Sequence, residues 1–372
     1  MIYLDHAATT PMLPEAKKAL QEALDFSYGN ASSLHTPGHL ANEQIEEARA
    51  RLAKLINADP SEIIFTSSST ESNNTVINIF RGQPIAVSEI EHESLLLPAR
   101  DFASAFTPVK VDKNGKVCYN KDIWTKSLKL LSILHASNEL GTIQDLEFWS
   151  KKAHENGAYF HSDMTQSLGK IPIDVKKLGV DYATFSAHKI GGPLGVAALY
   201  VSKTAPFEPF LIGGSQESHR RAGTYNTPAI IGFGAALEFI QKNNTASLYE
   251  KNVRPLRDYF ASEILQKIPG ASLNTPLENS LPNILNVSFR AAEGESIQLL
   301  LDAAGIVVST GSACASNDLA PSHVLMATTN DAERSHSSIR FSLGLETAKS
   351  EIDEVLKILP GIIEKLQGIS TI

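Results

Sequence analysis

The sequence predicts an α/β protein whose larger part is a mostly parallel, doubly wound sheet and whose smaller part is a second α/β unit. Three observations lead to this prediction. Short apolar runs alternate with helical patterns between residues 63 and 201, as in parallel strands joined by helices. The pattern changes character after Gly223. A chain of 372 residues is also long enough for two domains.

The larger unit begins with helical patterns. Pro11 and Pro14 precede apolar residues that repeat on one helical face, and a second helix is predicted over residues 40–56. Six strands are then predicted, at residues 63–66, 85–89, 130–136, 158–162, 182–186 and 196–201. Because helical patterns separate several of them, we expect most of these strands to run parallel.

The smaller unit follows two predicted helices, at about residues 229–242 and 249–267. Its strands are predicted at residues 284–289, 306–309 and 338–342, and its last helix at residues 349–366. We place the domain boundary near Asn244, so that the large domain covers residues 15–244.

Composition narrows the classes of function. The net charge is −8 and no basic block exists, which argues against direct binding of nucleic acid. No apolar run approaches membrane-spanning length and no signal peptide is visible, so we expect no membrane partner. The two cysteines, Cys118 and Cys314, cannot build a disulfide framework or an all-cysteine zinc or iron–sulfur site within one chain. A reducing cytoplasm fits this cysteine usage.

Asp163, Gln166 and Lys189 follow two of the predicted strands where each strand ends. Side chains there face the ligand crevice of an open α/β sheet, so we expect a carboxylate, an amide and an amine to converge. Pyridoxal phosphate (PLP) needs that set: a lysine for the Schiff base, an acid for its ring nitrogen and a donor for its ring oxygen. Taken singly, each residue is equally consistent with a solvated lysine or a helix cap.

A hydroxyl-rich turn at residues 67–74 follows the first predicted strand and opens a helix. A helix N-terminus offers free N–H groups and partial positive charge to an anion, and Ser69 and Thr70 add hydroxyl donors. The turn is therefore a candidate phosphate site. An ordinary capping box, in which a serine caps the helix and Glu71 reaches back, is the alternative.

Three more polar residues are candidates for the same site. His92 can stack on a planar ring or carry protons near neutral pH, or it is a surface histidine. Asn138 can donate to a ring oxygen or a carboxylate, or it serves a turn. Arg340 has the planar fork that binds a carboxylate, or it forms an interdomain ion pair. We expect no metal site, because His161 and Asp163 have no third ligand near them in sequence.

Cys314 is the stronger candidate for a reactive thiol. It lies among small and polar residues, between a predicted strand and a helix led by Pro321, which indicates an exposed loop. Cys118 lies between Val117 and Tyr119 and is interpreted as a structural cysteine. Since accessibility governs the reactivity of a thiol, we expect Cys314 to react.

Taken in order, these segments resemble the cysteine desulfurases of the PLP-dependent class-V aminotransferase family. The similarity begins at residues 4–11 and 29–33, continues through residues 222–224 and ends at Arg340 and Gly344. Three motifs together make it specific: Asp-x-x-Gln from Asp163, Ser-x-His-Lys ending at Lys189, and Gly-Ser-Ala-Cys ending at Cys314. The implied fold is the aspartate-aminotransferase type (fold type I). Its small domain would combine residues 1–14 and 245–372 and carry a cysteine loop at about residues 309–320.

The resemblance also implies a role for each candidate residue. Lys189 would hold the cofactor as a Schiff base, Asp163 would keep its ring nitrogen protonated, and Gln166 would donate to its ring oxygen. His92 would stack on the ring and carry protons for the thiols. The phosphate would be bound by Ser69, Thr70, Ser186 and His188, and Thr224 would bind the phosphate in the partner subunit. Asn138 and Arg340 would bind the substrate carboxylate, and Asn138 would also lie near the cofactor.

The implied reaction converts L-cysteine to L-alanine and leaves the sulfur on Cys314 as a persulfide. The Gly-Ser-Ala-Cys motif resembles the subgroup with a long, mobile cysteine loop, which passes sulfur to an iron–sulfur scaffold or a tRNA-thiolation protein. A homodimer is expected, because Thr224 would complete the site of the other subunit.

Three positions depart from the family pattern. Ser68 stands where the family usually has glycine, Ser69 where alanine is usual, and Leu194 where lysine is usual. Alternatives also stay open at this point. A PLP-dependent aminotransferase or lyase of the same fold, a selenocysteine lyase, and a non-catalytic scaffold protein would each share much of this sequence pattern.

Overall fold

Helices and strands alternate along the chain in the computed structural model, which describes residues 1–26, 28–310 and 321–369. The helices are α1 Pro14–Phe26, α2 Thr36–Leu55, α3 Ser69–Ile79, α4 Glu93–Phe102, α5 Leu146–Glu155, α6 Val175–Leu178, α7 Thr227–Asn243, α8 Thr245–Leu248, α9 Arg254–Lys267, α10 Gly294–Ala303, α11 His323–Thr329, α12 Ala332–His336 and α13 Lys349–Ile369. The strands are β1 Ile2–Tyr3, β2 Ile63–Thr66, β3 Pro84–Ser88, β4 Ala105–Val109, β5 Leu130–Ser132, β6 Tyr159–Asp163, β7 Tyr182–Ser186, β8 Ala197–Val201, β9 Ala271–Leu273, β10 Ile284–Phe289, β11 Ile306–Val307 and β12 Ser338–Ser342.

The central sheet has seven strands in the order β2-β8-β7-β6-β5-β3-β4. Neighbours from β7 to β4 pair in parallel, whereas β8 is antiparallel to both β2 and β7. The predicted mostly parallel sheet is therefore confirmed. Strand β4 was not predicted from the sequence. It lies at the edge of the sheet, is half exposed and contains Pro108, which an edge strand tolerates, so its hydrophobic pattern is weak.

Two predicted boundaries were wrong by several residues. The run at residues 130–136 was predicted as one strand, but β5 ends at Ser132 and the remaining residues continue as buried irregular backbone. The helix predicted from residue 40 begins at Thr36 instead. His35 caps it by accepting a hydrogen bond from the Gly38 amide at 3.2 Å, a side-chain cap that hydrophobic periodicity does not reveal.

The smaller unit contains an antiparallel sheet in the order β12-β10-β9. The N-terminal strand β1 pairs in parallel with β11, and Asp5 continues that contact as a bridge to Ser342. The predicted strand at residues 306–309 shortens to β11. The N-terminal segment is thus attached to the smaller unit, although it precedes the large sheet in sequence.

Two large hydrophobic clusters fill the interior. One packs under the central sheet around Phe160, Phe185 and Phe233, and the other surrounds Phe260 and Phe341. These clusters support the proposed large domain of residues 15–244 and the small domain of residues 1–14 and 245–372, and that division stays a prediction. In the described part of the chain, no helix has both the length and the apolar character needed to cross a membrane.

Candidate active site

A cavity of about 600 Å³ lies where strands β3, β5, β6 and β7 end. Buried backbone after β3 and β5 lines one side, and the last residues of β6 and β7 line the other. Ten of the residues predicted from sequence line this cavity, and they are Ser69, Thr70, His92, Asn138, Asp163, Gln166, Ser186, His188, Lys189 and Arg340. The strand-end rule accounts for the positions of Asp163, Ser186 and Lys189 at this cavity, and the roles of all ten residues stay predictions.

Two predicted residues do not line the cavity of this chain. Thr224 is exposed and lies apart from it. Cys314 lies outside the described residues. The residues that flank its segment are at the cavity: Ser309 exchanges backbone hydrogen bonds of 3.2 and 2.7 Å with Arg340, and Pro321 lines the cavity wall.

Cys118 was interpreted as a structural cysteine, and that prediction was wrong. Its side chain is exposed. The reason is local: the Cys118 amide bonds the Lys110 carbonyl at 2.8 Å, within a short antiparallel contact between Val111 and Val117 at the surface. Apolar neighbours in sequence do not imply burial where the chain forms such a two-stranded projection.

Asp163 ends β6 with its carboxylate held by two donors. Oδ1 accepts from the Thr165 amide at 2.9 Å, and Oδ2 accepts from Asn73 Nδ2 at 2.8 Å. These bonds fix the orientation of the carboxylate. Because the residue is half-buried and lines the cavity, it presents negative charge to a bound ligand.

Lys189 lies in a helical turn directly after β7, at Ala187–Ile190. Gly191 ends that turn with φ of 76°, and a Cβ atom there would lie 2.6 Å from Leu13 Cγ. The Lys189 ammonium donates to the carbonyl oxygens of Ala7 and Ala8 at 2.8 and 2.6 Å. The N-terminal segment therefore holds the amine at the cavity wall.

Gln166 and the buried Lys170 lie behind that amine. Gln166 Nε2 donates to the Ala7 carbonyl at 2.9 Å, while its Oε1 is buried without a hydrogen-bond partner among the described residues. Lys170 donates to the carbonyls of Gln166 and Lys189 at 3.0 and 3.4 Å. Burial, followed by the charge of Lys189, lowers the pKa of Lys170 to about 7.

The hydroxyl-rich turn connects β2 to α3. Ser68 caps the helix by accepting from the Glu71 amide at 3.2 Å, and Glu71 Oε2 accepts from the Ser67 amide at 2.8 Å. The capping arrangement is thus present, and Ser69 and Thr70 in the first helical turn still line the cavity. Ser68 has φ of −163°, so its backbone is extended and a glycine is not required there.

The cavity is also lined by Ser186, His188 and Leu194. Ser186 is buried at the end of β7, and His188 Nδ1 lies 3.2 Å from Thr9 Oγ1. Burial, with the charges of Lys189 and Lys170, lowers the pKa of His188 to about 4, which favours a neutral ring at neutral pH. Leu194 is 70% exposed at the cavity mouth, so the departure from the family pattern there creates no crowding.

His92 caps α4 with its imidazole. Nδ1 accepts from the Ser94 amide at 3.1 Å and lies 2.8 Å from Ser94 Oγ. Burial lowers the pKa of His92, and the nearby charge of Asp163 opposes that shift. The ring is therefore fixed in orientation and biased towards its neutral form.

Arg340 and Asn138 lie on the opposite side of the cavity. Arg340 Nη2 donates to Asp5 Oδ1 at 2.9 Å, and Nη1 donates to the Asn138 carbonyl at 3.1 Å. Within the described residues, the buried Nε has no partner. The guanidinium is thus held at the cavity by two contacts that leave its Nε–H unused among the described residues.

Four buried residues near the cavity were missed by the sequence analysis: Asn73, Glu91, Ser94 and Glu139. Glu91 accepts from the Leu134 amide, and burial with the nearby Asp163 charge raises its pKa well above the usual range. Glu139 accepts from Ser322 Oγ at 2.6 Å, and burial raises its pKa. A usable signal existed for Asn73 alone, because it lies three residues after Thr70 and shares its helix face.

The described ranges contain no group of three or more His, Cys, Asp or Glu side chains arranged to hold a metal ion. The arrangement supports chemistry on an organic anion instead. One wall carries an amine and a carboxylate, a helix N-terminus offers hydroxyl and N–H donors, and the facing wall carries a guanidinium.

Residues 2–355 match the family model described as aminotransferase class-V. This chain belongs to the class-V aminotransferase family. Members of that family use PLP. The chain is 44% identical to the cysteine desulfurase IscS of Dictyoglomus turgidum, over 99% of this chain and 96% of the relative. It is 41% identical to the cysteine desulfurase IscS 1 of Archaeoglobus fulgidus, over 100% and 99% of the two chains.

Solved structures agree with this assignment. The NifS-like protein of Rickettsia africae superposes with a TM-score of 0.90 at 34% identity, and the match covers 98% of this chain and 99% of that one. The fold-type-I assignment is thereby confirmed. Both the sequence relatives and the structural neighbours place the chain among the cysteine desulfurases within the class-V family.

Proposed function

We propose that this chain is a PLP-dependent cysteine desulfurase that converts L-cysteine to L-alanine and moves the sulfur onto Cys314. The observation that carries the proposal is a single cavity presenting an amine, a carboxylate and a guanidinium, on Lys189, Asp163 and Arg340. Such a set matches an amino acid bound to a cationic ring. The cysteine desulfurases of D. turgidum and A. fulgidus support the choice of substrate.

The side chains of the cavity fit PLP. The oriented Asp163 carboxylate suits a protonated ring nitrogen. Gln166 Nε2 donates one of its two hydrogens to the Ala7 carbonyl, and its second hydrogen suits the ring oxygen. Ser69 and Thr70 at the α3 N-terminus suit the phosphate, together with Ser186 and His188, which line the same cavity. When bound, the cofactor supplies an electron sink for charge that develops beside the amino nitrogen of the substrate.

Arg340 is assigned to the carboxylate of the substrate, with Asn138 beside it. The buried Arg340 Nε–H lacks a partner within the described residues, so a donor is available without breaking the contact with Asp5. A guanidinium held by neighbours on two sides loses little freedom when the substrate binds. The carboxylate would then fix the Cα–H bond in a constant direction relative to Lys189.

Lys189 is assigned to remove the Cα proton and return it, and His92 is assigned to move the thiol proton. The Cys314 thiolate attacks the sulfur of the substrate, an S–S bond forms, and the C–S bond breaks with its electron pair going to carbon. Cβ takes up one proton to become the methyl group, Cα takes back the proton that Lys189 removed, and L-alanine leaves. Cysteine plus the Cys314 thiol thus gives alanine plus the Cys314 persulfide, with atoms and electrons balanced.

The proposal is tested by incubating the full-length chain with L-cysteine and a thiol reductant, and measuring alanine and sulfide. We expect equal amounts of the two products from the wild type. Cys314→Ser should fall to background, whereas Cys118→Ser, which removes the other cysteine of the chain, should behave as the wild type. Undiminished sulfide from Cys314→Ser would overturn the role of Cys314, and amino transfer to a keto acid would favour an aminotransferase.

A homodimer is part of the proposal. Thr224 is exposed and far enough from its own cavity to be available to a partner copy, and exposed apolar side chains of Phe210, Leu211 and Ile212 precede it. Sedimentation of the wild type should give twice the chain mass. Mixing inactive Lys189→Ala with Thr224→Ala should restore one working site per mixed dimer; no activity above that of the separate variants would contradict the shared site.

The sulfur acceptor is proposed to be an iron–sulfur scaffold or a tRNA-thiolation protein, without direct contact to nucleic acid. A cytoplasmic location stays a prediction from cysteine usage. Selenocysteine as substrate is separated from L-cysteine by comparing selenide and sulfide release under the same conditions, and preference for selenocysteine would revise the substrate.

A further inference from the structure

A chain of hydrogen bonds connects Asp163 to His92 through two residues that the proposed reaction does not use. Asn73 Nδ2 lies 2.8 Å from Asp163 Oδ2 and 2.9 Å from Ser94 Oγ. Ser94 Oγ in turn lies 2.8 Å from His92 Nδ1. Asn73 is fully buried in α3, and Ser94 is 8% exposed at the start of α4. Two helices and one strand therefore meet in a single polar network.

The chemistry of the partners fixes the direction of each bond. An ionised Asp163 carboxylate only accepts, so the Asn73 atom that faces it must be the amide nitrogen. The second hydrogen of that nitrogen goes to Ser94 Oγ. The Ser94 hydroxyl therefore accepts from Asn73 and keeps its own hydrogen for His92 Nδ1, which also accepts from the Ser94 amide at 3.1 Å.

We propose that Asn73 is a positioning residue that, through Ser94, holds His92 as the neutral tautomer with its proton on Nε2 while it orients Asp163. Two donors on Nδ1 leave no room for a proton there, and a neutral imidazole then carries its hydrogen on Nε2. The inference deepens the proposed function, because the ring assigned to carry thiol protons would begin each cycle in one defined state.

Charged groups around His92 do not select this tautomer by themselves. Burial opposes charge on the ring most strongly; Asp163 in β6 and Glu93 in α4 favour the charged ring, and Lys189 after β7 and His323 in α11 oppose it. Because these charges oppose one another, the local hydrogen bonds determine which imidazole nitrogen of His92 carries the proton. Hydrogen bonds that the neutral ring accepts also disfavour protonation, so loss of Asn73 or Ser94 should make the ring easier to protonate.

Ring NMR of the full-length chain with labelled histidine, with and without added PLP, tests the inference. His92→Gln identifies the signal of His92. Asn73→Leu keeps the branched shape of the side chain and removes both bonds of Asn73. Ser94→Ala leaves the bond from Asn73 to Asp163 intact, and Ser94→Thr restores a hydroxyl. Thr75→Val, which removes a hydroxyl from the same helix outside the network, is the matched control.

We expect the Nε2–H tautomer in the wild type. The His92 pKa should rise by roughly half a unit to one unit in Asn73→Leu and Ser94→Ala, the effect of one hydrogen bond, and return in Ser94→Thr. An Nδ1–H tautomer in the wild type, or an unchanged pKa in both variants, would overturn the inference. If Asn73→Leu does not fold, Ser94→Ala with Ser94→Thr decides alone. These signals do not depend on turnover, so an inactive protein could still confirm the network.

Discussion

Arg340 and Asp5 form an ion pair, with 2.9 Å between Nη2 and Oδ1. The Arg340 side chain is 4% exposed and that of Asp5 is 17% exposed. The pair joins β12 to the N-terminal segment whose next residues hold Lys189. Asp5 is therefore the counter-charge of the guanidinium in the absence of a carboxylate ligand.

Asp5→Asn should destabilise the protein, by roughly 1–3 kcal/mol, because a buried guanidinium loses a charged acceptor. A carboxylate ligand would then supply the missing charge. We expect L-alanine to raise the Tm of the PLP-loaded Asp5→Asn variant by more than it raises the Tm of the wild type. Glu354→Gln, which breaks an exposed pair with Lys357, is the control. It should change neither the stability of the protein nor the rise in Tm that L-alanine causes. Equal gains in Asp5→Asn and the wild type would argue against Arg340 as the carboxylate contact.

Ser68 should behave as a helix cap in substitution experiments. Ser68→Ala removes the acceptor of the Glu71 amide and should cost about 1 kcal/mol, whereas Ser68→Gly should cost only a few tenths. Denaturant unfolding measures both. A large gain in stability with glycine would contradict the extended backbone at this residue, since glycine is needed only where φ is positive.

The ion pair of Arg49 and Glu217 should contribute strongly to stability near the hydroxyl-rich turn at residues 67–74. The Glu217 carboxylate accepts from both terminal nitrogens of Arg49 at 2.7 Å and from the Phe65 amide at 3.0 Å, and its side chain is fully buried. Glu217→Gln should therefore cost about 3–5 kcal/mol. Glu46→Gln removes the half-exposed second partner of Arg49 and should cost about 1 kcal/mol or less. If Glu217→Gln and Glu46→Gln lowered the free energy of unfolding by similar amounts, the greater importance of Glu217 would be refuted.

Lys170 should make stability depend on pH. Its pKa is about 7 in the folded chain and near 10.5 in the unfolded chain, so the unfolded chain binds more protons between these values. The contribution of Lys170 to the free energy of unfolding must then rise as the pH rises from about 7 to 10.5. In Lys170→Met this rise should disappear, whereas Lys242→Met, an exposed lysine on α7, should keep the wild-type slope. Identical slopes in all three proteins would show that Lys170 stays charged.

Much of the site could be predicted because it depends on sequence order. Asp163 and Lys189 follow strands β6 and β7 directly, and parallel strands bring their carboxyl ends to one edge of the sheet. A short apolar run and a polar residue after it are both visible in the sequence. The same logic located His92 and Asn138 beside the cavity.

The remaining features depend on strand direction and on the packing of distant segments, which the order of residues in the sequence does not show. Nothing in the sequence marks β8 as antiparallel, because its apolar run is consistent with either direction. Asn73 was missed because its role requires α3 to face the end of β6 and α4 together. The extended backbone of Ser68 and the exposure of Cys118 are likewise set by neighbouring segments. The role of Cys314 stays a prediction, since it lies outside the described residues.

Residues 2–8 obtain their contacts from distant parts of the chain. Ile2 bonds the Gly305 carbonyl, His6 bonds the Ser342 carbonyl, and the carbonyls of Ala7 and Ala8 hold Lys189. During synthesis this segment leaves the ribosome long before its partners near residue 342 exist. Long-range contacts of this kind form late and slowly. The wall that holds the Lys189 amine is therefore completed only once the chain has been synthesised beyond residue 342, and cofactor loading is expected to follow that step.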